Sequence, residues 1–231
     1  MTTRMLATAG LAVALLVAHP RAAQNDKEDV TSEDKRLRDA VTVFSEVMAA
    51  EDKAIPSRIL QKAEGIAVFP NTIKAGLVVG GMRGRGVLSA KTPTGWSSPA
   101  FLTLTGGSIG LQIGGQAADI VLVVMNRRGL ENLLNNQFKV GTDVAVAAGP
   151  VGRNAEASTD IQMRAQILSY SRSRGLFAGV TINGSTIRQD LDANQRFYGS
   201  RLLSKEIVID GKAGAPEPVS LWQQALERAA R

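Results

Sequence analysis

The chain has 231 residues, with 27 basic and 21 acidic side chains and a formal net charge of +6 at pH 7. Apolar residues make up 44% and charged residues 21%, which is close to the globular average and excludes a chain that is disordered throughout. The sequence contains no cysteine, which excludes disulfides, thiolate metal sites and cysteine nucleophiles.

The first 23 residues have the features of a signal peptide. Arg4 precedes an uncharged run over residues 5–18, which is short for a membrane span and typical of an exported precursor. We therefore expect a periplasmic or secreted protein, with an uncleaved N-terminal anchor as the alternative. Cleavage would remove His19, the one histidine of the sequence, and with it serine–histidine catalysis and imidazole metal sites. It would also remove Arg4 and Arg21 from the 27 basic residues, leaving 25 against 21 acidic ones.

Composition along the chain divides it into four segments. We expect a signal peptide over residues 1–23, a polar linker over 24–33, one domain over 34–210 and a C-terminal extension with a helix over 211–231.

Apolar side chains recur at helical spacing directly after the expected linker. Leu37, Val41 and Phe44 stand at i, i+4 and i+7, which predicts an amphipathic helix over residues 35–50. Asp34, just before this stretch, is the expected N-cap.

From residue 65 onward the hydrophobic period changes from 3.6 to 2, and glycine pairs separate the apolar runs. The strands predicted from this pattern cover residues 66–69, 75–82, 86–91, 100–105, 108–113, 119–125, 143–148, 167–171, 175–182 and 185–187. Turns are predicted at Pro70–Asn71 and Asn183–Gly184, the second as a type I′ hairpin. Further helices are predicted over 56–64, 126–134, 189–198 and 220–231.

This clustering of strands between terminal helices predicts the fold class. We expect an α+β domain with a glycine-rich antiparallel β core, sandwich or barrel-like, flanked by N- and C-terminal helices.

The most glycine-dense run, over residues 76–86, resembles a nucleotide-binding loop only superficially. A phosphate loop needs Lys and then Ser or Thr after its last glycine, but Val87 and Leu88 follow here and continue a strand. A dinucleotide fingerprint would need a helix at this point. Close backbone packing or a bulge is the better interpretation, and Arg83 and Arg85 on this run could contact phosphate head groups.

Four carboxylates could in principle supply general acid–base chemistry: Asp119, Asp143, Asp160 and Asp190. Each stands at the start of a predicted strand or helix, and nothing in their spacing selects a pair. We interpret them as caps and turn residues, and we expect neither catalysis nor a cofactor or metal.

Basic residues border the first apolar stripe and the helix that follows it. Arg36, Arg38, Arg58 and Lys62 are placed as an interfacial helix requires, with cations meeting anionic lipid while apolar side chains enter the head-group region. The alternative is a helix packed on its own core with a solvated charged face, and periodicity alone leaves both open. Aromatic residues make up only 4%, which argues against nucleic acid as the ligand.

Several strings occur in one order along the chain: GIAVFP (65–70), GWSSPAF (95–101), GGSIGLQIG (106–114), GTDVAVAAGP (141–150), YSRSRGLFAG (170–179) and FYG (197–199). This series resembles the SYLF domain family, also described as the yeast actin-patch lipid-binding domain, over roughly residues 34–199. The resemblance implies phospholipid binding, with phosphoinositides as ligands of the eukaryotic members. It implies that the N-terminal amphipathic segment and nearby basic residues contact lipid, which here corresponds to residues 35–62.

The sequence therefore predicts a protein that binds anionic phospholipid or a membrane surface, with an envelope protein partner as the alternative. Export would separate it from actin, so we do not expect an actin partner. Head-group contacts are predicted for Arg36, Arg38, Arg58, Lys62, Arg83 and Arg85, and membrane insertion for Leu37, Val41 and Phe44.

Overall fold

The computed structural model describes residues 31–50, 55–76, 79–109, 116–151, 164–173 and 176–230. The predicted signal peptide and most of the predicted linker lie outside these described residues. None of the described helices is long and apolar enough to span a bilayer.

The described strands form one sheet that curls into a half-barrel, in the order β6-β10-β4-β2-β1-β5-β8-β7, with β3 on β2 and β9 on β8. Described pairs are antiparallel except β7 with β8. The strands are β1 (Gly65–Gly76), β2 (Val79–Thr92), β3 (Gly95–Trp96), β4 (Ala100–Ile109), β5 (Gln116–Val124), β6 (Gln137–Lys139), β7 (Val146–Ala148), β8 (Ile167–Ser173), β9 (Leu176–Gly179) and β10 (Ser185–Gln189). The predicted α+β class with an antiparallel β core is confirmed.

Helices stand at both ends of the described chain and between strands: α1 (Ser32–Ala49), α2 (Ser57–Gln61), α3 (Arg127–Leu134), α4 (Leu191–Tyr198), α5 (Ser204–Val208) and α6 (Glu217–Ala230). The terminal helices α1 and α6 pack against each other and against the sheet.

Apolar side chains pack on both faces of the sheet. On the outer face, α1 and α6 cover the sheet, and the rings of Phe44 and Trp222 meet edge to face at 5.9 Å. On the inner face, Leu102, Ile120 and Phe138 belong to a second cluster that α3 and α5 close. Burying each such side chain contributes about 1.5–3 kcal/mol, so both faces stabilise the fold.

The predicted helices are confirmed, with shifted ends. Helix α1 begins at Ser32, inside the expected linker, because Thr31 is its N-cap and Asp34 is the reciprocal partner of a capping box. Asn126 caps α3 as expected by accepting a hydrogen bond from the Gly129 amide. Helix α5 and strand β6 are too short to show a period, and the sequence did not predict them.

The predicted strand ends and hairpin were wrong at positions where a glycine pair or a turn dipeptide indicated the end of a strand. Strand β1 continues through Pro70–Asn71 as a bulge and ends at Gly76, which pairs with Gly80 of β2, so the predicted strand over 75–82 is divided between two strands. Strand β4 runs unbroken through Gly106. Asn183–Gly184 forms a turn, but β10 then pairs with β4 and β6, so it closes no β9–β10 hairpin.

Candidate functional site

The bulge in β1 shapes one side of the candidate site. The register of β1 shifts against both neighbours here, between Val68 and Ile73 on the β2 side. Asn71 has φ 48°, a left-handed conformation that asparagine tolerates better than most residues. Its amide donates to the Asp119 carboxylate of β5 at 2.9 Å, so a neighbouring strand holds the bulge in place.

Glycine and arginine alternate along β2 opposite this bulge. A Cβ atom at Gly84 would lie 2.4 Å from Thr72 Oγ1, and one at Gly86 would lie 2.3 Å from the Val68 carbonyl oxygen. The two glycines are therefore required for close packing, which confirms that interpretation of the glycine run. Because side chains alternate along a strand, Arg83 and Arg85 point to the outer face, where both are exposed.

Arg36 of α1 reaches the same place from above the sheet, although only 6% of it is exposed. Its Nη1 donates to Asp190 Oδ2 at 3.0 Å, and its guanidinium carbon lies 5.2 Å from the centre of the Phe101 ring. Its Nη2 has no hydrogen-bond partner among the described residues, and Glu33 Oε1 lies 3.9 Å from it. A buried guanidinium therefore keeps one donor group unsatisfied.

The N-terminal half of α1, the bulge and β2 line an open cleft with a volume of about 560 Å³. Four cations line it: Lys35, Arg36, Arg83 and Arg85. Among the described residues that line it, the one carboxylate is Asp39, which already accepts from Lys35 at 2.8 Å. We call this site the cationic cleft.

The charges in the cationic cleft act on one another. Burial lowers the pKa of the Arg36 guanidinium, Asp190 opposes this change, and the positive charge of Arg85 adds to it. A bound anion would offset the repulsion between these two arginines, because it would place negative charge near both.

The other predicted head-group residues lie elsewhere. Arg38 is exposed and pairs with Glu217 of α6 at 3.0 Å. Arg58 lies in α2 and Lys62 at its C-cap, both exposed, and neither lines the cationic cleft. The structure thus brings together three of the six predicted cations, namely Arg36, Arg83 and Arg85, and the head-group role remains a prediction for all six.

The residues predicted to insert into a membrane face the protein in this arrangement. Leu37 and Phe44 are fully buried in the outer-face core, and Val41 packs partly buried against it. Periodicity left open whether α1 is an interfacial helix or a helix packed on its own core. In this structure α1 lies packed on the sheet with a solvated charged face. Insertion by these three side chains would require α1 to leave the sheet.

Seven of the ten described residues that line the cleft were not among the predicted site residues, and Lys35 and Ile73 are two of them. Lys35 is the first residue of the predicted amphipathic helix but was not among its predicted lipid contacts, and the sequence pattern gave no signal for Ile73. Ile73 is 59% exposed because the β1 bulge shifts the register of the strand, and a period-2 pattern contains no information about such a shift.

The described carboxylates of the catalytic alternative each make a structural contact. Asp119 accepts from the Asn71 amide and pairs with Arg172 at 2.9 Å. Asp143 accepts from the Lys139 amide at 2.7 Å within a turn. Asp190 caps α4 and holds Arg36. Asp160 lies outside the described residues. The described residues contain no cluster of three side chains that could hold a metal ion.

Fold and site together define a glycine-rich α+β domain whose curled sheet carries a helix-covered cationic cleft. The chain belongs to the Ysc84 family, described as "Las17-binding protein actin regulator", whose sequence profile matches residues 105–229. The SYLF resemblance found in the sequence is thereby confirmed.

Known relatives cover most of this chain. The SH3 domain-containing YSC84-like protein 1 of Rattus norvegicus is 31% identical over 194 residues, which are 82% of this chain and 56% of that protein. The Xenopus laevis protein of the same name is 34% identical over 83% of this chain and 57% of its own length. Protein YSC84 of Saccharomyces cerevisiae is 32% identical over 76% of this chain and 38% of its own length. The chain thus spans between 38% and 57% of the length of these three relatives.

Proposed function

We propose that this protein binds anionic phospholipid at a membrane surface and catalyses no reaction. The observation that carries the proposal is the cationic cleft, which Arg36, Arg83 and Arg85 line together and where one buried guanidinium nitrogen has no acceptor in the described part of the chain. A phosphate group offers several acceptor oxygens and a negative charge, so it suits such a set of donors.

The surroundings of the cleft also suit a membrane surface. Ile73 is exposed beside Arg83, its cross-strand neighbour, so an apolar side chain stands next to cations as interfacial binding requires. Each cation near an anionic bilayer contributes about 1 kcal/mol, so binding should depend on several residues together and weaken with salt.

The predicted signal peptide supports a location in the cell envelope. We propose a periplasmic or secreted protein that associates peripherally with a membrane, and general anionic phospholipid, not phosphoinositide alone, as its ligand. Fractionation of cells that express the full chain, combined with N-terminal sequencing of the product, tests both the location and the cleavage.

The decisive experiment is co-sedimentation of the purified protein with phosphatidylcholine vesicles and with vesicles that contain phosphatidylglycerol, at low and high salt. We expect binding to the anionic vesicles alone, and weaker binding at high salt. The double variant Arg83→Gln/Arg85→Gln should bind about 30-fold more weakly, since two cations contribute about 2 kcal/mol.

The matched control is Arg128→Gln/Lys205→Gln, which removes two exposed cations that lie outside the cleft. It should bind nearly as well as the unaltered protein. Equal losses in the two double variants would show that net charge alone matters and would remove the cleft from the proposal.

The family description favours a second candidate function, the binding of a protein partner, which we place in the envelope only because of the predicted signal peptide. One yeast relative is named LAS seventeen-binding protein 3, and it is 33% identical over 76% of this chain. Capture of one envelope protein that persists at high salt and is reproduced with that protein purified, together with no binding to any vesicle, would favour this candidate.

A further inference from the structure

Beyond the cleft, the outer face of the sheet carries two further cations, Lys139 and Arg188, in line with Arg83 and Arg85 of the cleft. The pairing registers align Arg83 of β2 with Thr105 of β4, Thr186 of β10 and Lys139 of β6. The adjacent row, two residues away on each of these strands, aligns Arg85, Thr103, Arg188 and Gln137. We call these two rows the cationic face.

The side chains of the cationic face point away from the protein. Their neighbours along each strand, Leu104, Phe138 and Ile187, are buried in the inner core, and side chains alternate between faces. The four cations of the face are exposed: Arg83, Arg85, Lys139 and Arg188. The two rows extend over three strand spacings, or about 14 Å.

Two described carboxylates lie near these cations without pairing with their side chains: Asp39 lines the cationic cleft and accepts from Lys35, and Asp143 accepts from the Lys139 backbone amide. At the described outward positions of β2, β4, β10 and β6 there is no carboxylate, and none of the four cations forms an ion pair with a described residue. The threonines between them add neutral donors and acceptors. A row of exposed cations of this kind is complementary to a layer of phosphate groups.

The first row has an apolar residue, Ile73, next to Arg83 at its end on the β1 side. Ile73 of β1 pairs with Arg83 and is 59% exposed, so the row ends at the rim of the cationic cleft with a side chain suited to the head-group region. The described outward positions of the face carry no aromatic ring, which argues against stacking with nucleic acid bases.

We propose that the protein docks with the cationic face toward an anionic bilayer, so that the outward side chains of β2, β4, β10 and β6 contact lipid phosphates while α1 stays packed on the sheet. This inference rests on the proposed function, but it adds an orientation and two contact residues, Lys139 and Arg188, that lie outside the cleft. It differs from the sequence-based expectation, in which α1 itself enters the bilayer through Leu37 and Phe44.

The first test is the double variant Lys139→Gln/Arg188→Gln in co-sedimentation with phosphatidylglycerol vesicles. We expect binding about 30-fold weaker than that of the unaltered protein, roughly fivefold for each cation. The control Arg128→Gln/Lys205→Gln should change binding less than threefold. Equal urea midpoints for both variants would exclude unfolding as the cause.

The second test reads the orientation directly. Because the sequence has no cysteine, a single label can be attached at Thr105→Cys on the cationic face or at Ser45→Cys, an exposed position of α1. We expect quenchers carried by the lipid to quench the label at position 105 and to leave the label at position 45 unchanged.

The outcomes separate this inference from the proposed function. Vesicle binding that survives Lys139→Gln/Arg188→Gln, with quenching at position 45 alone, would overturn the orientation and leave lipid binding in place. No binding to any vesicle would overturn both. Unchanged vesicle binding by this variant, combined with loss of duplex DNA binding, would assign the face to nucleic acid.

Discussion

Arg36 donates from Nη1 to the Asp190 carboxylate at 3.0 Å, although 154 positions separate the two residues along the chain. Asp190 also caps α4, because its other oxygen accepts from the Ala193 amide at 3.1 Å. One carboxylate thus joins the N-terminal helix to α4 and holds the guanidinium of the cationic cleft. Only 6% of the Arg36 side chain and 16% of the Asp190 side chain are exposed, so solvent screens this pair weakly.

Replacing Asp190 with asparagine should therefore destabilise the protein. Asn keeps an oxygen that can cap α4, but it removes the charge that compensates buried Arg36, and breaking such a pair costs about 3 kcal/mol. Urea denaturation of Asp190→Asn measures the change in the free energy of unfolding. Asp192→Asn, which alters an exposed carboxylate in the same helical turn, should cost less than about 1 kcal/mol. Equal costs would mean that Arg36 does not depend on Asp190.

The two glycines that alternate with the cleft arginines allow a test of close packing. Gly86→Ala should destabilise the protein by about 1–3 kcal/mol, since its Cβ would lie 2.3 Å from the Val68 carbonyl oxygen. Gly81→Ala is the matched control in the same strand, because a Cβ there would meet nothing within 4 Å, and it should stay within about 0.5 kcal/mol of the unaltered protein. Thermal unfolding of both variants compares them, and equal melting temperatures would contradict the packing argument.

The helices could be predicted because each repeats a local pattern over several turns. Leu37 and Phe44 define the buried stripe of α1, and Trp222 and Leu226 that of α6. The strand boundaries could not be predicted in the same way. Pro70–Asn71 has the composition of a turn, and Asn71 does adopt a left-handed backbone, yet β1 continues because Asp119 of another strand accepts its amide.

Only the part of the candidate site that depends on local sequence could be predicted. Arg83 and Arg85 follow from local alternation with glycine, whereas the burial of Arg36 depends on Asp190, far away in the sequence. Arg38 stands only two positions from Arg36, but two helical residues lie about 200° apart around the axis, so it faces Glu217 instead. Sequence periodicity therefore identified the cations without separating those of the cleft from the others.

A buried hydrogen bond ties α6 to the sheet and gives a third prediction. Trp222 Nε1 donates to Ser89 Oγ at 2.9 Å, and both residues are fully buried. Ser89→Ala would leave the indole N–H without an acceptor, which should cost about 1–3 kcal/mol. Urea unfolding followed by tryptophan fluorescence measures this cost. Ser220→Ala, at an exposed position of the same helix, should change stability by less than about 0.5 kcal/mol, and a similar loss in both variants would contradict the role of this bond.

The last prediction concerns pH and Glu33 of α1. Burial alone would raise the pKa of the Glu33 carboxyl, but hydrogen bonds from Arg196 and Ser32 and the charge of Arg196 outweigh it, so the pKa lies below its ordinary value of 4.5. A carboxyl with a lowered folded-state pKa contributes stability that is fully present above pH 4.5 and is lost as the pH falls through the folded-state value.

Glu33→Gln should therefore be less stable than the unaltered protein at neutral pH, and this difference should shrink as the pH falls below 4.5. Urea unfolding at neutral pH and in acid measures the difference at each pH. The control is Glu131→Gln, which removes an exposed carboxylate that pairs with Arg127 at 3.2 Å and should have little effect under either condition. A Glu33→Gln deficit that stays constant into acid would mean that Arg196 and Ser32 stabilise the side chain through its shape and hydrogen bonding, and not through its charge.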